Sequence, residues 1–249
     1  MGYEKPRGYP GDYELFETIY NGKPLEEEGT VGFYFDQYFL NNAYAKAVRT
    51  RKNKMKNILQ DLIENNSSSH LRFFNVACGP CREIRELLSD PLLTSKVVNL
   101  CFTGLDNDGA SLIFSKSALA KVPSNIALRF LNENVLGLFR DNKYYDIIGK
   151  QDVIYILGLT EYLPDRIFKK LIYFLSQLLD DMGMLVITYK DKDIPLPSLP
   201  PDWLCNWAFI KRSKDDLIKT TEELGLDKYS LRIEKEGTET IFFLMLTKT

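Results

Sequence analysis

Two kinds of hydrophobic pattern divide the chain. Up to about residue 65, apolar positions recur every three or four residues, the period of a helix with one buried face. Beyond residue 70, short unbroken apolar runs alternate with such helical stretches. The first part predicts a short helix over 13–20, then helices over 32–44 and 45–64. The last of these carries Ala47, Val48, Met55, Ile58, Leu59, Leu62 and Ile63. The polar segment 65–69 separates the two parts, which gives a helical region over 1–66 and a second domain over 67–249. In the second domain the pattern predicts strands at 73–77, 97–105, 126–131, 152–157 and 184–189. Helices fall at 82–88, 109–121, 165–179 and 213–224. Two last strands, 229–236 and 240–247, are joined by Glu236-Gly237-Thr238. Alternation of this kind makes a mostly parallel sheet with helices on both faces, here closed by an antiparallel hairpin: an α/β fold.

Composition narrows the function classes. The 249 residues are 45% hydrophobic and 27% charged, as expected of a chain with a real core. A net charge of −2 gives no electrostatic reason to expect nucleic acid as partner. The local basic run Lys46, Arg49, Arg51, Lys52, Lys54 and Lys56 reads as a solvated helix face. No stretch is long and apolar enough for stable membrane insertion. Four cysteines do not make a disulfide scaffold in a chain this long, so a cytoplasmic location is expected. The opening Gly2-Tyr3-Glu4-Lys5-Pro6 reads as a piece of a longer sequence with a Met added. The single histidine, His70, follows a loop-like run and reads as a surface residue, which leaves no basis for a zinc site or a Ser-His-Asp triad.

Candidate chemistry collects at the ends of the predicted strands. The first strand runs into Asn75-Val76-Ala77-Cys78-Gly79-Pro80-Cys81-Arg82-Glu83, a small-residue turn that lets backbone approach a ligand at a topological switch point. With only Gly79, the turn lacks the three glycines of the dinucleotide fingerprint. It is nearer to the looser acidic-x-G-x-G-x-G turn of methyltransferases, with Asn75, Ala77 and Cys81 replacing the acid and the outer glycines. Asp106 ends the next strand, where a carboxylate can accept hydrogen bonds from both hydroxyls of a ribose. The alternative is a cap for the following helix. Asn107 adjoins it. Asn134 and Val135, after the third strand, stand where an adenine would bind, and Glu83 could hold an ammonium group. Gly158 would permit close approach of a reacting group, with Thr160, Glu161 and Tyr162 bordering a substrate. Glu161 could equally be a helix-start acid. A rival reading takes Cys78-Gly79-Pro80-Cys81 as a thioredoxin motif, with Pro123 as its cis-proline and a helix N-terminus lowering the pKa of Cys78.

Together these residues resemble a bacterial family of class I methyltransferases identified with synthesis of 3-hydroxypalmitic acid methyl ester, a quorum-sensing signal. Lys5-Pro6-Arg7-Gly8-Tyr9-Pro10-Gly11-Asp12-Tyr13-Glu14 is similar to the family's K-P-R-G-Y-A-G-D-Y-E segment. Tyr38-Phe39-Leu40-Asn41, Ala47-Val48-Arg49-Thr50-Arg51 and Gly79-Pro80-Cys81-Arg82-Glu83 match further segments. Gly158-Leu159-Thr160-Glu161-Tyr162-Leu163 resembles G-L-F-D-Y-L, and Asn206-Trp207 stands where the family has Asp-Trp. The resemblance implies a Rossmann-like fold with a seven-stranded sheet. It also implies S-adenosyl-L-methionine as cofactor, S-adenosylhomocysteine as product, and a small-molecule acceptor, with an acyl chain methylated at its carboxyl group as the candidate. Cofactor contacts are then expected from Ala77, Cys78, Gly79, Pro80, Glu83, Asp106, Asn107, Asn134, Val135 and Gly158. The acceptor's polar end would meet Arg7, Tyr9, Tyr13, Arg49 and Tyr162, and Tyr9, Tyr13, Arg49, Glu161, Tyr162 and Trp207 would form the catalytic set. Phe33, Phe35, Trp203, Trp207 and Phe209 would line an acyl channel, and residues 9–13 would act as a lid. A regulatory protein that binds the cofactor without turnover is the second function class, and protein methylation a third. Oligomeric state is not legible.

Overall fold

A computed structural model describes residues 7, 11–65, 69–96, 99–194 and 209–249. Three helices open it: α1 (Tyr13–Asn21), α2 (Val31–Asn41) and α3 (Ala43–Asn65). Asp12 caps α1 by accepting from Leu15 N at 2.9 Å, and Thr30 caps α2 through Phe33 N. The expected junction between the second and third helices moves back to Asn42, whose extended backbone breaks the chain there and whose Oδ1 accepts from Ala45 N at 2.8 Å.

The alternating part follows as β1 (Leu71–Val76), α4 (Arg82–Leu88), α5 (Pro91–Lys96), β2 (Leu100–Asp106), α6 (Gly109–Ala118), β3 (Ile126–Asn132), α7 (Lys143–Ile148) and β4 (Gln151–Ile156). After a single 3₁₀ turn at Thr160–Tyr162 come α8 (Asp165–Gln177), β5 (Leu179–Lys190), α9 (Lys214–Glu223), β6 (Ser230–Lys235) and β7 (Ile241–Thr247). Helices α5 and α7 were missed by the pattern because each is only six residues long, too short to show a period. The strand order is β3-β2-β1-β4-β5-β7-β6. The first five strands are parallel, and β7 inserts antiparallel between β5 and β6. This is the expected Rossmann-like architecture, a mixed seven-stranded sheet with N-terminal helices. It excludes the thioredoxin reading of Cys78 to Cys81, and Pro123 supplies no cis bond, since no peptide among the described residues is cis.

Apolar side chains fill both faces of the sheet. On one, Phe168, Leu171, Ile172 and Leu175 of α8 pack against Ile154, Ile156, Leu185 and Ile187. On the other, Met55, Leu59 and Ile63 of α3 join Ile84 and Leu87 of α4 over Phe73, Phe102 and Tyr155. The basic run on α3 is not a solvated face. Only Lys46 is exposed, while Lys52 pairs with Glu86 at 2.5 Å and Lys54 with Glu234 at 2.7 Å. Because α3 is covered on several sides, its long cationic side chains run along apolar surface to reach acids on α4 and β6.

The turn of the terminal hairpin is organised by the buried carboxylate of Glu236. It accepts from Thr238 N (2.7 Å), Thr238 Oγ1 (2.6 Å), Thr240 N (3.0 Å), Ile241 N (3.1 Å) and Thr50 Oγ1 of α3. Burial works to raise its pKa, but these donors outweigh burial and hold it below the ordinary carboxylate range. The resulting stabilisation is complete above the range where a free carboxylate titrates, and is lost as pH falls through the lower folded value. Glu236→Gln is expected to cost about 1.5–3 kcal/mol at neutral pH, as for hydrogen bonds to a charged group. Urea unfolding over a pH series checks this: the gap to the wild type should close on acidification, and a pH-independent gap would refute the assignment.

Candidate functional site

Strands β3, β2, β1 and β4 are parallel neighbours, so their carboxyl ends open on the same edge of the sheet, the place where open α/β sheets bind ligands. After β1 the chain makes a tight turn into α4. Ala77, Gly79 and Cys81 all adopt left-handed backbone, with φ of 55°, 51° and 49°. These are the three positions at which the looser fingerprint places glycine. Only one is glycine here, yet the backbone path is kept, at about 1–2 kcal/mol of strain for each side chain with a Cβ. The turn is pinned from β2: Cys78 N donates to Leu105 O at 2.9 Å, and Gly79 N donates to Asp106 Oδ2 at 2.8 Å.

Asp106 is 8% exposed, and its Oδ1 accepts from Asp108 N at 2.9 Å. Asp108, not Asp106, caps α6 by accepting from Ala110 N and Ser111 N. That frees Asp106 from the structural role the sequence left open. Each of its oxygens accepts one of these backbone bonds and keeps capacity for another. Burial raises its pKa, with the N–H groups of Asp108, Gly79 and Asn107 pulling the other way.

Three adjoining cavities run along this edge. The central one, with about 930 Å³ of empty space, is bordered by Ala77, Gly79, Asp106, Asn107, Gly158 and Tyr162, and by Gly11, Tyr13 and Phe16 above. Towards β3 it continues past Ala77 and Asp106 into a space bordered by Glu133, Asn134, Val135, Leu159 and Ile167. On the β4 side it shares Phe16, Gly158 and Tyr162 with a narrow, tightly packed cavity whose walls are mainly Ile19, Phe39, Tyr44, Ala45, Val48 and Phe209.

Arg51, Glu161 and Lys190 bring charge to this last, apolar cavity. Arg51 and Glu161 are each 2% exposed, with Nη1 and Oε1 3.7 Å apart. Gly158 has φ 86°, and a Cβ there would lie 2.6 Å from Arg51 Nη1. Arg51 also lies near the Tyr20 hydroxyl, whose pKa burial pushes up to about 12 while the guanidinium pulls it down. The segment bearing Glu161 is held rigidly. Thr160 Oγ1 donates to Thr188 O (2.6 Å), Ile210 N to Glu161 O (2.8 Å), and Arg212 to Thr160 O (2.9 Å) and Leu163 O (2.7 Å).

Of the residues singled out in the sequence, Tyr13, Ala77, Gly79, Asp106, Asn107, Asn134, Val135, Gly158, Glu161 and Tyr162 border these cavities. Cys78, Pro80 and Glu83 lie behind the turn, off the cavity walls. The Cys78 thiol is pushed up by burial, the opposite of an activated helix-terminal cysteine. Glu83 accepts from Asn75 Nδ2 and the Tyr155 hydroxyl, both at 2.9 Å, and burial raises its pKa. Arg49 donates to the carbonyls of Ile19 and Leu40, joining α1 and α2 to α3. Arg7 stacks on the Tyr13 ring and pairs with Glu14 at 2.7 Å and Asp108 at 3.7 Å, fastening the start of α1 beside the central cavity. Phe33 is half-buried and Phe35 exposed, and neither lines the apolar cavity, whereas Phe209 does. Tyr9, Trp203, Asn206 and Trp207 lie outside the described residues, and His70 is exposed.

Sequence reasoning missed Arg51, Phe16, Phe39 and Lys190 as cavity residues. For Arg51 a signal existed. Val48, Met55, Leu59 and Ile63 form one helical stripe, and positions 51 and 52 fall inside it, so a cation stands where an apolar residue is due.

Residues 11–245 match the model of a family described as "Putative methyltransferase". None of the curated proteins matches the sequence. Among solved structures, a possible exported protein from Bordetella parapertussis is similar at 18% identity and a TM-score of 0.70, over 95% of this chain and 79% of that one. Magnesium protoporphyrin IX methyltransferase from Synechocystis with bound S-adenosylhomocysteine is similar at 15% identity and 0.64, over 95% and 94%. An O-methyltransferase family protein from Burkholderia thailandensis gives 14% and 0.55, over 95% and 70%. At these identities the likeness is one of fold. Among the described residues no helix is long and apolar enough to cross a membrane.

The strained turn yields a direct test. Ala77→Gly removes a Cβ from left-handed backbone and should leave thermal stability unchanged or raise it by up to about 1 kcal/mol, against the usual cost of adding glycine. Gly158→Ala should do the reverse, costing about 1–3 kcal/mol in denaturant unfolding, because its Cβ meets the Arg51 guanidinium on backbone that disfavours it.

Proposed function

The chain belongs to the methyltransferase family whose model spans it, and from that premise we propose that it methylates the carboxyl group of a small apolar acid, a fatty or 3-hydroxy fatty acid, using S-adenosylmethionine. The observation that carries this reading is the meeting at Gly158 of two unlike cavities. One has a buried carboxylate, Asp106, with acceptor capacity to spare. The other is apolar and has a buried guanidinium at the shared wall.

The residues present fit the cofactor. The left-handed turn brings backbone rather than side chains to the central cavity, and Gly79 faces open space, with nothing within 4 Å of where a Cβ would stand. Asp106 would accept from the two ribose hydroxyls, and Asn134 and Val135 border the space beyond it where the adenine would lie. When bound, S-adenosylmethionine would supply an electrophilic methyl group on a sulfonium centre, open to attack by a carboxylate oxygen, the new C–O bond replacing the C–S bond with the neutral thioether as leaving group and no proton to move.

The chain's own share of catalysis is therefore positioning and exclusion of water. A carboxylate acceptor is ionised at neutral pH and needs no base, in keeping with a chain whose single histidine, His70, is exposed. Arg51 would orient that carboxylate beside Gly158, where the missing side chain leaves room for approach. Tyr13 and Tyr162 close the cavity above and beside it, and Phe16, Phe39 and Val48 would pack the acyl chain. Glu83, held by Asn75 and Tyr155, would brace the turn from below.

Calorimetric titration with S-adenosylhomocysteine tests the cofactor half. Asp106→Ala should weaken binding about 10–100-fold, as expected for loss of hydrogen bonds to a charged acceptor. Unchanged affinity would remove the ribose assignment. Because ribose hydroxyls stabilise the ionised form, affinity should also fall as pH drops through the raised pKa of Asp106, and the Ala variant should lack that dependence. Methyl ester formation from a panel of acids tests the other half. Tight cofactor binding without turnover of any acceptor would favour a regulatory, non-catalytic protein.

A further inference from the structure

Helix α2 turns its apolar stripe outward. Val31, Tyr34, Phe35 and Tyr38 recur at i, i+3, i+4 and i+7, the spacing that marks the core-facing side of a surface helix. Here they face water, each between 60% and 73% exposed. At about 100° per residue the four cover an arc of roughly 100°, and Leu40, the helix's buried residue, lies opposite its centre. Phe39 and Leu40 join the cluster of Ile19, Ala45 and Val48, which docks the last turn on the body of the protein. A short helix built largely of aromatic side chains has low intrinsic propensity and is marginal in water without packing. One docked turn leaves the earlier turns to be held by something else. None of the four stripe residues borders the cavities at the strand ends, so the stripe is no extension of the cofactor or acceptor space.

We infer that this stripe is the contact surface of a two-fold dimer, in which α2 packs antiparallel on α2 of a second copy of the chain. Area and charge select that occupant. At roughly 100–150 Å² of open surface each, the four side chains present about 400–600 Å², as much as the largest apolar patch on a typical monomer. Two such patches with their polar rims clear the area of about 1,000 Å² that a specific interface needs. The stripe itself is uncharged. Asp36, the one charged residue of α2, turns aside to accept from Leu25 N (2.8 Å) and Glu26 N (3.3 Å). Exposed Glu26, Glu27 and Glu28 precede the helix, and exposed Lys46 follows it on α3. A parallel pair would set the three acids against their own copies. An antiparallel pair sets them towards the second copy's Lys46 at both ends, and steers the partners together. The same acids repel an anionic membrane. In this isologous pair the axis passes between positions 34 and 35, with Val31 opposite the second copy's Tyr38, and the aromatic rings form the desolvated centre.

Sedimentation velocity over protein concentrations from about 1 to about 100 µM tests the dimer, and the wild type should associate within that range. Phe35→Glu places two like charges beside the axis and should weaken association at least about 100-fold, whereas Phe35→Leu should hold it within about 10-fold of the wild type. Both variants should keep a cooperative unfolding transition and the wild-type affinity for S-adenosylhomocysteine, which separates loss of the interface from loss of the fold. Lys46→Glu alone, and Glu27→Lys with Glu28→Lys, should each weaken association about 3–10-fold at low salt, and the three changes combined should recover it. A wild type that stays monomeric throughout overturns the proposal, whatever else covers the stripe. So does a dimer that Phe35→Glu leaves intact, because its interface then lies elsewhere. Failure of the combined charge reversal to recover association, with Phe35→Glu still disruptive, overturns the antiparallel pairing.

Discussion

Helix α3 approaches the carboxyl end of β4 closely enough that a guanidinium occupies the space a side chain at residue 158 would need. Most of the site depends on this contact. Any residue larger than glycine would displace the Arg51 guanidinium, on the helix that covers one face of the sheet through Met55, Leu59 and Ile63. The same contact forms the common wall between the cavity at the strand ends and the apolar one beneath α1 and α2. A structural helix and a reaction space are thereby built from the same few atoms.

That arrangement also explains what could and could not be read from the sequence. The sheet was legible because its strands are unbroken apolar runs and its helices, apart from α5 and α7, are long enough to show a period. The strand-end residues Asp106, Gly158 and Asn134 were legible because strand ends are fixed by the same pattern. The helical region was less so. Arg49 and Arg51 are two positions apart on one helix and differ by more than half a turn, and only the fold shows that one grips carbonyls while the other reaches a cavity. Charge alone made the run from Lys46 to Lys56 look solvated. The acids that receive these side chains lie on α4 and β6, far away in the chain, and no local pattern announces them.

The turn after β1 illustrates the difference between a motif and the conformation it stands for. The glycines expected at 77 and 81 are absent, which weakened the sequence argument, yet the backbone takes the left-handed path at both. Ala77 is small enough to border the cavity without filling it. Cys81 is fully buried and packs the start of α4, so its side chain gains contacts that offset part of the strain. The two cysteines of this turn serve as compact apolar residues. A thiol raised by burial and fenced by Phe130 and Gly104 is poorly suited to exchange chemistry.

The knot at Glu236 has a consequence for the order in which the chain can assemble. Thr50 and Glu236 are separated by 186 residues, and Lys54 and Glu234 by 180. Helix α3 can form early from local contacts, but it cannot be fastened along its outer side until the terminal hairpin exists. Closing so long a loop is entropically costly and is repaid only when both ends are in place. A chain emerging from the ribosome therefore holds α3 by its nearer partners alone until the hairpin, some 180 residues further on, has been made.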